Sequence, residues 1–128
     1  MNKFPVVKLQ KQGLAENRYR SGNSSWAAAN LVQWCREKNY PVFDLPLVGI
    51  DLSYSPWSDL NNAKNIANHF KRVQSANLNH PVILDDYGYI ADGWHRVIKA
   101  LVEGKKTIKA IRIQEMPEPD SVSENKNL

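Results

Sequence analysis

The order of strand and helix signals predicts an α+β fold, a small mixed sheet with helices packed on it. Two observations carry this expectation. From residue 81 to residue 113 the signals run strand, turn, strand, helix, strand, and an earlier strand and helix precede them. Further upstream, two segments repeat apolar residues at helical spacing. The 128 residues are 42% apolar and 23% charged, which suits one domain with a real core and excludes wholesale disorder.

Residues 4–9 read as a short edge strand, and the polar, Gly/Ser/Asn-rich residues 17–25 as a loop. The first helix is expected to start at a Ser24 or Ser25 cap and to run from Trp26 to about Lys38. Ala27, Leu31, Trp34 and Cys35 form its apolar stripe, and Asn39-Tyr40-Pro41 ends it, because the residue before proline avoids helical geometry. Residues 42–52, rich in branched side chains, read as a strand with proline at its edge. Ser58 or Asp59 is expected to cap a second helix whose apolar face is Leu60, Ala63, Ile66, Ala67, Phe70 and Val73. Pro81-Val82-Ile83-Leu84 is a strand, Asp85 to Gly88 a turn, and Tyr89-Ile90-Ala91 the returning strand. A third helix spans about Trp94 to Glu103 and stops at Gly104, and residues 107–113 are the last strand. The domain limits expected are a basic arm over 1–25, the folded domain over 26–113 and a disordered acidic tail over 114–128.

Charge is divided unevenly: net +4 over residues 1–20, +3 over 21–113 and −3 over 114–128. A mildly basic body suits a polyanionic partner without requiring one. No window nears ~18 uninterrupted apolar residues, so no membrane partner is expected, and Lys8 interrupts the apolar N-terminal stretch too early for a signal peptide. Cys35 has no second cysteine to pair with, and on the apolar stripe it reads as a small buried hydrophobe rather than a nucleophile. Together these features predict a soluble, cytoplasmic protein.

Asp92-Gly93-Trp94-His95-Arg96 is the most informative stretch. It joins a strand end, a glycine and a helix start, where free backbone amides and the helix dipole favour anions. Arg96 can fork onto two phosphate oxygens, and His95 can donate a hydrogen bond or carry a proton. Lys99 falls on the same polar helix face as His95, four residues on. Equally, this can be an ordinary polar helix face, with Trp94 in the core on the opposite side.

These residues carry a resemblance. Gly88 to Ala100, with Gly104 and the strand from Ile108 to Ile113, resembles the core motif of the ParB/sulfiredoxin-like superfamily. Upstream, Leu45 to Leu52 resembles that family's opening strand, Asn62-Ala63-Lys64-Asn65-Ile66 its first conserved helix, and Pro81 to Leu84 its proline-led strand. The matched core is 45–113, with a helix added over 26–38. The resemblance implies nucleotide binding: a triphosphate such as ATP or CTP, with Mg2+. It implies that Gly93, His95 and Arg96 hold phosphates, that Lys64 reaches the nucleotide, and that Asp92 touches a hydroxyl or the metal; Lys99 is expected at the same phosphate site from its place on the His95 face. Trp94 stands where sulfiredoxins have their reactive cysteine, so sulfinic-acid repair is not expected.

Three functions follow from these residues. The first is a nucleotide hydrolase or phosphotransferase in which His95 and Asp92 are catalytic, and Asp51 or Asp85-Asp86 is a further source of a metal ligand or base. For those two sites, a solvated strand end and plain turn chemistry are the simpler readings. The second is a ParB-like nuclease or DNA-binding protein whose arm, with Lys3, Lys8, Lys11, Arg18 and Arg20, follows a phosphate backbone. The third is a non-catalytic adaptor of a phage or plasmid that binds a host protein through Trp26, Tyr54 and Trp57.

Overall fold

The structure, a computed structural model, describes residues 4–9 and 17–123. A hairpin comes first, β1 (Arg18–Ser21) and β2 (Ser24–Ala27), followed by α1 (Ala28–Lys38) and β3 (Val42–Pro46). A 3-10 turn over Leu47–Gly49 leads through a loop to α2 (Ala63–Ser75), then β4 (Val82–Leu84) and β5 (Ile90–Asp92). The chain continues through α3 (Trp94–Val102), β6 (Thr107–Arg112) and β7 (Ser121–Val122).

Four strands form a mixed sheet in the order β3-β6-β4-β5. β6 runs antiparallel to β3 and parallel to β4, with Ile83 opposite Ile111. Parallel neighbours need a crossover, and the segment through β5 and α3 supplies it. Successive strand residues point to opposite faces, so this sheet has two apolar sides. Val82, Ile108 and Ala110 pack with Val97 and Ala100 of α3. Ile83 and Ile113 pack with Trp26, Leu31 and Cys35 on and beside α1. The sheet is therefore sandwiched between α1 and α3, which is the α+β architecture expected.

Several expectations need correction. Residues 17–25, read as a loop, contain β1 and the start of β2, which pair antiparallel around Gly22, whose φ is +58°. Residues 4–9, read as an edge strand, form none. The strand expected over 42–52 stops at Pro46. The first helix begins at Ala28, and its cap comes from the far end of the chain: Asp120 accepts from the Ala27 backbone N–H at 2.5 Å and from the Asn30 amide at 2.8 Å. Residues 114–123, expected to belong to a disordered tail, are held against the fold. The Trp34 and Trp26 indoles donate to the carbonyls of Glu115 and Pro117, at 2.8 and 2.9 Å, and β7 pairs with β2. Two indole donors and one carboxylate hold a segment that has no apolar periodicity, so composition alone misread it.

α2 departs furthest from expectation. Asn62 caps it, accepting from the Asn65 backbone N–H at 2.9 Å, in place of Ser58 or Asp59. Ile66 and Phe70, assigned to its buried face, are exposed, and its one buried residue is His69. The cause lies on α3, whose face toward α2 is polar. Lys99 donates to the carbonyls of Gln74 and Ala76 at 3.0 and 2.7 Å, and His95 meets His69. Buried polar groups require partners, so α2 turns its polar side inward to supply them.

Candidate functional site

The site is built where α2 meets the start of α3. His69 Nδ1 and His95 Nε2 lie 2.9 Å apart, and His69 Nε2 lies 2.7 Å from Asp59 Oδ1. Asp59 comes from the loop before α2, so three residues from two helices and a loop form one hydrogen-bonded chain. Trp57, from the same loop, covers both imidazoles with ring centroids 4.3 Å from each. His69 is only 7% exposed, whereas the Asp59 side chain is 56% exposed, so the chain runs from solvent inward.

The polarity of that chain follows from what each group can do. An ionised carboxylate only accepts, so His69 Nε2 carries a proton toward Asp59. In a neutral His69, Nδ1 is then the acceptor, and His95 Nε2–H donates to it. The lone pair of His95 is left on Nδ1, which bonds to no described residue. Among the described residues no buried side-chain nitrogen or oxygen lacks a partner, and His95 lines the cleft. Burial, reinforced by the Arg72 cation and then by His69 and Arg96, pushes the His95 imidazole down to about 3. It is therefore neutral near pH 7, the state in which Nδ1 can accept a proton.

Two concavities, of about 270 and 390 Å3, share Asn17, Arg72, Asp92 and His95 and form one cleft. Arg18 and Arg20 of β1 line it beside Trp57, so three arginines and a neutral histidine face one space. Arg18 Nε donates to Ser25 Oγ at 2.7 Å, and Arg72 donates to Asn17 Oδ1 at 3.2 Å, which fixes two of the three.

The residues expected to act here are placed as follows. Gly93, His95 and Arg96 line the smaller concavity together with Asp92. Asp92 and Arg96 form an ion pair at 2.8 Å, and Arg96 also donates to the carbonyls of His80 and Pro81, at 3.0 and 2.6 Å. Arg96 thus ties the start of β4 to the end of β5. Lys99 holds the end of α2, and Lys64 is exposed on its first turn; neither lines the cleft. Asp51 accepts from its neighbour Ser53, and Asp85 is buried, accepting from the backbone N–H groups of Tyr87 and Tyr89, which is turn chemistry. Among the described residues, no group of three or more His, Cys, Asp or Glu is placed to hold a metal ion. Lys8 is exposed, and Lys3 and Lys11 lie outside the described residues. Of the proposed protein contacts, Trp26 is buried in the core and Trp57 is stacked on the imidazoles.

Sequence reasoning found His95 and missed Asp59, His69 and Arg72. One signal was available: His69 sits three residues after Ile66 and four before Val73, a polar interruption of the stripe read as buried. No helix is long and apolar enough to cross a membrane among the described residues. No protein-family model, curated protein or solved structure matches the chain.

Proposed function

We propose that this chain is a ParB/sulfiredoxin-like domain that binds nucleotide phosphates in the cleft at the head of α3 and transfers or hydrolyses a phosphoryl group there. The observation that carries the reading is the Asp59–His69–His95 chain opening onto a cleft lined by Arg18, Arg20 and Arg72. A cluster of cations beside a base held neutral suits an anionic substrate whose attacking group must lose a proton.

In this reading, Arg20 and Arg72 take the phosphate charge, with the first amides of α3 at the other wall. His95 Nδ1 receives the proton of the attacking water or acceptor hydroxyl. The oxygen bonds to phosphorus while the bond from phosphorus to the leaving phosphate oxygen breaks, and that oxygen keeps the electron pair. His95 then returns the proton to the product phosphate. Asp59 and His69 are positioning residues: they set the His95 tautomer and support the positive charge it briefly carries. A bound phosphate also offsets the Arg72 field, raising the proton affinity of His95 when it is needed. A magnesium ion would come held chiefly by the phosphates of its nucleotide, since Asp92 is paired with Arg96 and no group of three or more His, Cys, Asp or Glu is placed to hold a metal among the described residues.

The test is a thermal-shift panel of ATP, CTP, GTP and ADP, followed by phosphate release. A nucleotide at about 100 times its dissociation constant should add ~2.7 kcal/mol of stability. His95→Asn should cost about 100-fold or more in turnover. If no nucleotide raises the melting temperature, the reading is wrong. A nuclease is the second reading, favoured by the position of Arg18 and Arg20 on an exposed hairpin edge; cleavage of an oligonucleotide with no response to free nucleotides would select it.

A further inference from the structure

The chain has three histidines, and the hydrogen-bonded chain of the site uses two of them. The third, His80, lines the smaller concavity, of about 270 Å3, together with His95. A tight turn presents it. The Asn79 backbone N–H donates to Asn77 Oδ1 at 2.9 Å, and the His80 backbone N–H donates to the Asn77 carbonyl at 3.1 Å. Arg96 Nη1 then donates to the His80 carbonyl at 3.0 Å. Both backbone polar groups of His80 are thus engaged, while the residue is exposed and its imidazole bonds to no described residue.

The displacement at phosphorus leaves negative charge on the departing oxygen, and a proton delivered there lowers the barrier. Among the described residues, one group lining this concavity is suited to deliver it. Arg72 and Arg96 keep their protons at any pH near neutrality. Asn17 and Asn77 carry amides, which do not ionise. Ser75 Oγ donates to the Lys71 carbonyl at 2.9 Å, and Asp92 accepts from Arg96 in their ion pair. His95 is the base. Histidine gives and takes a proton in the physiological range, which leaves His80.

Resting on the reading above, we infer that His80 is the general acid of the cleft, giving its proton to the leaving phosphate oxygen while His95 takes one from the attacking water or hydroxyl. The bond from the attacking oxygen to phosphorus forms as the bond to the leaving oxygen breaks. The electron pair left on that oxygen takes up the His80 proton, and water then reprotonates His80. The two histidines work in opposite states, His80 charged and His95 neutral. His95 stays neutral far into the acid range, so turnover is lost on the alkaline side, where His80 gives up its proton.

Steady-state hydrolysis of ATP, CTP and GTP by the intact chain, followed from about pH 5 to about pH 8, tests this. For the unaltered chain kcat should fall as the pH rises through that range. His80→Ala should lower kcat about 100-fold at about pH 6 with KM unchanged, flatten the profile, and recover in part when free imidazole is added. The backbone bonds of the turn do not involve the ring, so the melting temperature of this variant should match that of the unaltered chain. A kcat that holds level with rising pH in the unaltered chain, or a fall that His80→Ala retains at full rate, overturns the role of His80 and leaves the phosphoryl reading standing. If the unaltered chain hydrolyses none of the three nucleotides, both readings fall.

Discussion

Replacing Gly93 by alanine makes two separate demands on the corner between β5 and α3. The backbone there has φ +117°, outside the range that side-chain-bearing residues readily adopt. Holding alanine at such an angle costs about 1–3 kcal/mol. A methyl group would also lie 2.6 Å from Val82 Cγ1 and 2.9 Å from Val82 Cβ. Val82 is fully buried on β4 and cannot swing away, so this overpacking adds about 1–3 kcal/mol more. The sum is about 4 kcal/mol, and at roughly 4 °C per kcal/mol for a domain of this size the melting temperature should fall by about 15 °C. Two other glycines separate the causes. Gly104 has φ +71° but open space around it, so Gly104→Ala should show the strain alone, about 1 kcal/mol. Gly49 has neither constraint, and Gly49→Ala should be neutral or stabilising by about 0.5 kcal/mol. Thermal unfolding followed by circular dichroism ranks the three. The reasoning fails if Gly93→Ala melts within about 5 °C of the unaltered chain, or no lower than Gly104→Ala.

Three more outcomes are expected. His95 is held near 3 in the folded protein against an ordinary 6.5, so below pH 6.5 the unfolded chain takes up a proton that the folded one refuses. Stability should be insensitive to this group above pH 6.5 and should fall from there toward pH 3; urea unfolding across that range should show a shallower fall in His95→Asn. The Ala27 amide, with Asn30 and Arg18, holds the Asp120 carboxyl below its usual range, so its contribution is present above that range and disappears as acid protonates it. Asp120→Ala should cost about 1–2 kcal/mol by chemical denaturation, and an unchanged midpoint would show that α1 needs no cap. Burial pushes the Cys35 thiol up to about 11, so an aromatic disulfide reagent at pH 8 should label it only after denaturant is added.

The half of the fold built from local signals could be read in advance. Gly93 and Gly104 punctuate α3, and branched residues mark β4 and β6, because each element is specified by its own neighbours in sequence. What escaped depends on contacts across the chain. The strand pair β1–β2 has few branched residues, and β7 is only two residues long; each exists because of the other and of the indoles of Trp26 and Trp34. The candidate site divides the same way. His95 and Asp92 stand at a recognisable corner, but Asp59, His69 and Arg72 join them only once α2 presents its polar side. Periodicity ranks Ile66 and Phe70 as buried because it weighs hydrophobicity and has no knowledge of the polar surface on the opposing helix.

The cap that Asp120 provides sets an order in time. Ala27 and Asp120 are 93 positions apart, so a ribosome adding roughly 5–20 residues per second delivers the cap some 5–20 s after the helix it closes. Throughout that interval the hairpin bearing Arg18 and Arg20 lacks its third strand, and the Ala27 amide and the Asn30 side chain lack their carboxylate partner. The cationic wall of the cleft is thus among the first parts made and the last to be fixed, and tags or truncations after residue 113 act on it from across the chain.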